Sequence, residues 1–206
     1  MANKYDLLLV DDEAYTGMGR TGRWFGIENW KVDPDVICVG GALASGLPLG
    51  AVVSKAEIMD WEPKSHASLL GGSPLVCAVA IAVIDALRQE NLVENGARMG
   101  NALLRRLMEL KEKYSIIGDV RGKGLMMGVE FVKSGDTEEP NVSAVKETVL
   151  ESWKRGLLLS RSTGSTLLLS PPLSITEGLV DKGLELLEGS IAEVNRKNKA
   201  KPTSTY

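Results

Sequence analysis

The chain has 206 residues, of which 44% are hydrophobic and 25% charged, and its net charge is −3 at pH 7. This is the composition of an ordinary globular protein that is long enough to bury a core without disulfides. It excludes a disulfide scaffold, and the acidic balance without any basic cluster argues against a nucleic-acid partner.

The cysteines and the apolar stretches bear on metal binding and location. Cys38 and Cys77 each lie in an apolar run, which favours small buried thiols in a reducing compartment over zinc ligands. The most apolar stretch, residues 75–84, is ten residues long, whereas a membrane span needs about 20. The first residues lack the pattern of a secretion signal. We therefore expect no metal, no transmembrane segment and a cytoplasmic location.

Three short apolar runs predict a sheet in the first part of the chain. Residues 7–10 end at Asp11, residues 36–39 lead into Gly40, and residues 51–53 follow Gly50. Runs that are apolar at every position are typical of strands buried on both faces. Because parallel sheets carry their sites at the carboxyl ends of strands, the polar residues after residue 10 are site candidates. These runs indicate an α/β layer.

Two helices follow. Ser73-Pro74 predicts a helix start, because serine accepts free N–H groups and proline suits the first turn. The apolar run up to Leu87 then predicts a buried helix. Residues 91–114 have leucines spaced among charged residues, which predicts an amphipathic helix. We place the domain boundary near Asn91.

The remaining residues predict a second domain of the α+β class. The expected strands are residues 116–120, 125–132, 157–159 and 166–169, with a turn at residues 121–124. The expected helices are residues 142–155 and a helix that begins after Thr176 and ends near Lys197. We expect the polar tail, residues 198–206, to be frayed.

Two glycine-rich segments partly match nucleotide-binding patterns. Residues 17–22 read G-x-G-x-x-G, but they are separated from the apolar run and open no convincing helix. Residues 41–46 have the glycine spacing of a P-loop, but Leu47-Pro48 replaces its Lys and Ser/Thr. We expect structured turns at both segments, and nucleotide binding at residues 17–22 stays an alternative function.

The acidic residues after the first apolar run have three interpretations. Asp11, Asp12 and Glu13 could form a divalent-metal pair, a general acid–base pair or a solvated strand end, and their spacing does not decide. His66 is the single histidine. No serine or cysteine lies nearby in the sequence context of a catalytic nucleophile, so we treat His66 as a loop residue.

Taken in order, five segments resemble one family, the class III pyridoxal-phosphate (PLP) aminotransferases, which includes the ornithine, acetylornithine and gamma-aminobutyrate enzymes. Residues 12–22, DEAYTGMGRTG, are similar to the family's DEVQTGxGRTG. The others are residues 34–50, similar to its lysine loop, 71–75, similar to GGNPL, 120–125, matching VRGKGL, and 170–176, similar to its last motif. The resemblance covers nearly the whole chain and corresponds to the C-terminal half of the family.

The resemblance implies a fold and a cofactor site. Residues 1–90 correspond to the end of the PLP-binding large domain of fold type I, with a connecting helix, and residues 91–206 to a small α+β domain. In the family, the aspartate at the position of Asp12 pairs with the pyridine nitrogen and keeps the ring an electron sink. A valine at the position of Ala14 packs on the ring, and a glutamine at the position of Tyr15 lies near the ring hydroxyl. We therefore expect Asp12, Ala14, Tyr15 and Gly41 to mark the cofactor site.

Three positions depart from the family. Gly41 stands where the family has the lysine that anchors PLP and moves the substrate proton, so the resemblance implies no catalytic residue in this chain. Lys55 lies beyond another predicted strand and is no obvious substitute. Leu69 replaces a threonine that reaches the cofactor phosphate, and Leu168 replaces an arginine that clamps the substrate carboxylate. The family's phosphate-binding helix start and ring-stacking aromatic side chain lie upstream of the matching region.

These observations predict a chain that resembles an aminotransferase, acting between an amino acid and a 2-oxo acid, but that is inactive alone. One alternative is a subunit of a split aminotransferase completed by a separate N-terminal half. Another is the nucleotide-binding protein described above. Because the family buries its site at a dimer interface, we expect a homodimer or larger assembly.

Overall fold

The computed structural model describes residues 2–68, 70–134, 137–159 and 164–200. The chain divides into two compact units between Gly96 and Ala97. We call residues 1–96 the N-terminal unit and residues 97–206 the C-terminal unit. The division falls inside a helix, a few residues after the boundary expected near Asn91.

The N-terminal unit is built on a three-stranded sheet. Its elements are α1 (Ala2–Tyr5), β1 (Val10–Glu13), a 3₁₀ helix (Gly26–Trp30), β2 (Val36–Val39), β3 (Ala51–Ser54) and α2 (Pro74–Gln89). The strand order is β1-β2-β3, with β1 parallel and β3 antiparallel to β2. The parallel pair places the carboxyl ends of β1 and β2 at the same edge of the sheet.

The first strand lies later in the chain than the sequence predicts. Residues 7–9 do not form part of it, and the strand is the acidic segment Val10–Glu13. The reason is a long-range anchor: the Leu9 amide donates to the Asp35 carboxylate at 2.8 Å, and the Leu9 carbonyl accepts from the Asp35 and Val36 amides. This anchor sets the register in which Val10 pairs with Val36.

The strands are also less buried than predicted. Val10, Val52 and Val53 are each at least half exposed. The expectation of strands buried on both faces was therefore wrong, because the described part of the N-terminal unit is too small to cover both faces of its sheet. Cys38 and Cys77 are free and half-buried.

Helix α2 begins where predicted but is only partly buried. Ser73 is the N-cap and Pro74 the first helical residue, yet the Ser73 side chain makes no capping hydrogen bond. Only one face, with Val76, Ala80 and Leu87, is buried. Leu75 and Ile81, at 70% and 62% exposure, lie outside that face. The buried helix expected from the all-round apolar pattern is wrong, because only one face of α2 is packed in this chain.

The C-terminal unit holds the large core. Its elements are α3 (Leu92–Lys113), which begins just before the division, β4 (Ile117–Lys123), β5 (Met126–Ser134), β6 (Thr137–Pro140), α4 (Val142–Lys154), β7 (Thr166–Leu169) and α5 (Glu177–Ala200). Strand β5 is central and pairs antiparallel with β4, β6 and β7. The largest fully buried side chains of this core include Met99, Leu107, Leu125, Phe131, Leu167, Leu187 and Ile191.

Two sequence predictions for the C-terminal unit need correction, and one strand was missed. The predicted turn at residues 121–124 is wrong in part, since β4 continues to Lys123 and Arg121 pairs with Gly128. Arg121 makes ion pairs with Asp119 at 2.9 Å and Glu130 at 2.6 Å, which supports the extended backbone. Strand β6 was not predicted. Residues 157–159 are apolar but form no strand.

Residues 157–159 instead line an apolar cavity of about 310 Å³. Leu103, Leu168, Gly183 and Leu184 also line this cavity. Residues 157–159 are therefore apolar because they line this cavity, and they do not form a strand. Among the residues that the structure describes, no helix combines the length and apolar character that crossing a bilayer requires.

Candidate functional site

Strand β1 presents its three carboxylates to different environments because side chains alternate along a strand. Asp12 is exposed, Asp11 is half-buried and Glu13 is almost fully buried, at 1% exposure. Asp12 lies opposite Cys38 and Glu13 opposite Val39, at the end of β2 that leads into Gly40. The candidate site is therefore formed where β1 and β2 end.

Glu13 is a structural anchor beneath this site. Its carboxylate accepts hydrogen bonds from the Thr16 hydroxyl and from the Ile27 amide, the latter at 2.8 Å. Burial alone would raise the pKa of Glu13, but the hydrogen bonds from Thr16, Ile27 and Gly26 together hold it below its ordinary value. Glu13 therefore stays charged and ties the segment after β1 to the strand.

Asp11 has the opposite electrostatic character. Burial raises its pKa to about 6, and a hydrogen bond to Glu13 and the negative charges of Glu13 and Asp12 act in the same direction. Asp11 therefore keeps its proton to a higher pH than Glu13 does. Within the part of the chain that the structure describes, no group of three or more His, Cys, Asp or Glu residues is placed to hold a metal ion.

The raised pKa of Asp11 predicts how stability depends on pH. Because the folded chain keeps this proton to a higher pH than the unfolded chain, the contribution of Asp11 to stability falls as the pH rises from about 4 to about 6. We expect Asp11→Asn to gain stability relative to the wild type between pH 5 and pH 7, measured by urea unfolding. A difference between the two proteins that does not change with pH would contradict this prediction.

Three of the four predicted cofactor-site residues come together. The exposed Asp12 accepts a hydrogen bond from the Ala14 amide at 3.1 Å through Oδ1. A Cβ atom built on Gly41 would lie 2.5 Å from the Ala14 carbonyl oxygen, so Gly41 approaches the same peptide. Tyr15 follows next in the chain and is 83% exposed. Asp12, Ala14 and Gly41 thus form one compact group at the strand ends.

The remaining residues singled out from the sequence are Lys55, His66, Leu69 and Leu168. Leu69 lies outside the described residues. Leu168 is a half-buried residue of β7 in the C-terminal unit, where it lines the apolar cavity. Lys55 directly follows β3 and His66 lies in the segment between β3 and α2, and both are exposed.

The glycine-rich segment at residues 17–22 forms a closed turn. The amides of Gly17, Gly19 and Gly22 donate to backbone carbonyls of Glu13, Trp24 and Gly19, respectively. A phosphate-binding loop instead directs such amides at its ligand and opens an α-helix. Here the next element is the 3₁₀ helix Gly26–Trp30. The geometry favours a structured turn.

The sequence prediction did not identify the role of Glu13. It treated Glu13 as one of an acidic group, whereas the structure buries it under the site. The usable signal was local: a threonine three residues later, Thr16, supplies a hydroxyl within reach of the carboxylate. The amide of Ile27, fourteen positions away, could not be assigned without the fold.

The chain is similar to known proteins along most of its length. Residues 1–191 match the family model described as aminotransferase class-III. The leucine/methionine racemase of Thermococcus litoralis is 42% identical over 93% of this chain and 44% of the racemase. A transaminase structure from the marine bacterium Virgibacillus matches with a TM-score of 0.89 and 36% identity, over 95% of this chain and 47% of that one.

A third match includes a bound cofactor. The structure of an amine transaminase from an uncultivated Pseudomonas species, solved in a PLP-bound form, has a TM-score of 0.88 and 33% identity over 94% of this chain and 46% of that one. The mixed α/β fold is thus that of PLP-dependent transaminases. The chain spans about half the length of the proteins it matches.

Proposed function

The chain belongs to the class III aminotransferase family, and because residue 41 offers no amine, we propose that it carries the Asp12 part of an aminotransferase-type site without catalysing amino-group transfer alone. The observation that carries this proposal is the group Asp12–Ala14–Gly41, in which the carboxylate is kept and the amine is absent. Resemblance assigns residues 1–90 to the PLP-binding large domain and residues 91–206 to the small domain, and we propose the same assignment here.

The residues of the site fit PLP only in part. The exposed Asp12 carboxylate suits a protonated ring nitrogen, and the neighbouring Ala14 has a small apolar side chain. When bound, PLP supplies a ring that withdraws electrons from an amino acid's α-carbon. The covalent attachment does not fit, because Gly41 has no side chain and a Cβ there would meet the Ala14 carbonyl.

The loss at Gly41 affects racemisation as well as amino-group transfer. Both reactions move the α-proton of an amino acid, and that step needs a base at a fixed position. The similarity to a leucine/methionine racemase therefore gives no reason to propose racemase activity for this chain alone. We propose that an assembly completed by another chain would act on an amino acid and a 2-oxo acid. Leu168 stands where the family has an arginine, and its aliphatic side chain cannot bind a carboxylate.

The first test is chemical trapping. We expect the chain mixed with PLP and reduced with borohydride to give no high-occupancy adduct on a single lysine in peptide mapping, since the family's position carries Gly41. Scattered low-level labelling of exposed lysines is the background level. A single lysine labelled to high occupancy would show that another amine has replaced the missing one, and the proposal would fail.

The exposed apolar side chains of the N-terminal unit favour association with another chain. Large apolar residues at least 60% exposed there include Leu7, Leu8, Tyr15, Trp30, Leu70, Leu75 and Ile81. Contiguous apolar surface on soluble proteins is usually covered by a partner. We therefore propose that the chain forms a homodimer or larger assembly, or that it associates with a separate chain corresponding to the part of the relatives that this chain does not cover.

Sedimentation tests this association. At micromolar concentration and ordinary salt we expect a dimer or larger species, because burial of these side chains removes apolar surface from water. A monodisperse monomer would contradict the prediction. The exposed double variant Leu75→Ser with Ile81→Ser should shift the distribution toward monomer, whereas Trp153→Ser in the C-terminal unit, also exposed, serves as the matched control.

Nucleotide binding at residues 17–22 is the weaker alternative, because its amides are engaged within the turn. The half-buried free cysteines suit a reducing compartment, and we keep the cytoplasm as the proposed location.

A further inference from the structure

Position 41 is exposed, yet the surrounding backbone restricts it. Gly41 has a φ of +52°, in the left-handed region that residues with a side chain adopt only with strain. Exposure means that crowding by neighbouring side chains is not the constraint. The constraint is the path of the backbone between β2 and the following loop.

The second restriction is the close approach of Ala14, which directly follows β1. A Cβ atom on Gly41 would lie 2.5 Å from the carbonyl oxygen of Ala14, a separation that real Cβ atoms essentially never show. The opposing atom belongs to the backbone and cannot rotate away as a side chain would. One of the two backbone segments would have to move.

Ala14 is poorly placed to move. Its amide donates to Asp12 at 3.1 Å, and the preceding residue, Glu13, is buried and bonded to Thr16 and Ile27. The Glu13 carbonyl also accepts from the Gly17 amide at 3.1 Å. A displacement of Ala14 would therefore disturb the peptide that supports the Asp12 carboxylate.

The adjacent Gly40 provides the contrast. Its Cβ would lie 3.6 Å from the Ala14 Cβ, an ordinary van der Waals contact, and its φ is outside the left-handed region. Two neighbouring glycines of one loop thus differ sharply: the first accepts a side chain and the second does not.

We infer that position 41 is committed to glycine, so that an amine at residue 41 and the present placement of Asp12 exclude each other in this backbone. One consequence rests on the proposed function: a ligand of the completed site would be held without a covalent bond to residue 41. Reinstating the family's lysine requires movement of the loop as well as a change of side chain.

Matched alanine variants test the inference on the full chain. We expect Gly41→Ala to lower the thermal midpoint by about 5 °C and Gly40→Ala to change it by about 1 °C or less. Tryptophan fluorescence reports the relevant unit, since Trp24, Trp30 and Trp61 lie in residues 1–96. Equal midpoints for the two variants would overturn the inference.

An asparagine at the same position separates backbone strain from the contact with Ala14. Asparagine tolerates the left-handed region better than alanine does but still carries a Cβ, so we expect Gly41→Asn to be destabilised nearly as much as Gly41→Ala. A Gly41→Asn protein as stable as the wild type would show that a side chain is accepted, and the inference would be wrong.

Amide chemical shifts provide a readout that does not depend on stability. We expect Gly41→Lys to shift the amide signals of Asp12 and Ala14 substantially more than Gly40→Lys does. Unshifted signals in a folded Gly41→Lys protein would overturn the inference. The borohydride test of the proposed function uses the unmodified chain, so the two proposals can fail independently.

Discussion

Replacing Gly100 by alanine is expected to destabilise the C-terminal unit by about 2–4 kcal/mol, although alanine is the better helix former. A Cβ on Gly100 would lie 2.2 Å from the Gly124 carbonyl oxygen and 2.5 Å from its Cα. Helix α3 therefore approaches the β4–β5 turn backbone to backbone, and neither side can rotate away. Urea unfolding at pH 7 measures the loss.

Gly183 in α5 provides a control of opposite sign. Nothing lies within 4 Å of a Cβ built there, so Gly183→Ala should gain about 0.5–1 kcal/mol from helix propensity alone. A Gly100→Ala protein as stable as the wild type would show that α3 and the turn can separate without loss.

Removal of the Glu13 carboxylate is the second large effect, and it is expected in the N-terminal unit. Glu13→Ala should cost about 3 kcal/mol, because it leaves the Thr16 hydroxyl and the Ile27 and Gly26 amides without their acceptor. Glu13→Gln, which keeps the size and one acceptor oxygen, should cost less. Since the pKa of Glu13 is lowered on folding, its stabilisation is complete at pH 7 and is lost as the pH falls below its ordinary value.

Asp12→Asn is the matched control for Glu13. Asp12 is exposed and makes one hydrogen bond, to the Ala14 amide, so its replacement should change unfolding by less than about 0.5 kcal/mol. Chemical denaturation followed by tryptophan fluorescence compares the three variants. Equal losses for Asp12→Asn and Glu13→Ala would mean that burial does not distinguish the two carboxylates.

Sequence patterns predicted the elements that local signals define. Strand β2 and the start of α2 at Ser73-Pro74 are set by neighbouring residues and lie where expected. The register of β1 depends on the bond between Leu9 and Asp35, and its partners are far apart in the chain. Strand β6, with the sequence TEEP, lacks the apolar alternation that marks a strand, so only its pairing with β5 reveals it.

The sequence identified candidate site residues, but it did not show that the backbone restricts residue 41. The strand-end rule marks only the polar residues after β1 as candidates, whereas the family resemblance marks Asp12, Ala14 and Gly41, and the structure places these three close together. The positive φ of Gly41 and its approach to the Ala14 carbonyl arise from the paths of two segments. No single residue type reports such an approach, because glycine is compatible with many conformations.

The position of β5 at the centre of its sheet has a consequence for folding during synthesis. Strand β4 reaches β5 across a short turn, whereas β7 pairs with it only when Leu169 comes to lie opposite Met127. At about 5–20 residues per second, the ribosome needs roughly 2–8 s to produce the intervening segment. During that interval the edge of β5 that later pairs with β7 is unpaired. An unpaired edge can bind strands of other nascent chains. The length of chain between β5 and β7 thus sets the time in which aggregation competes with folding.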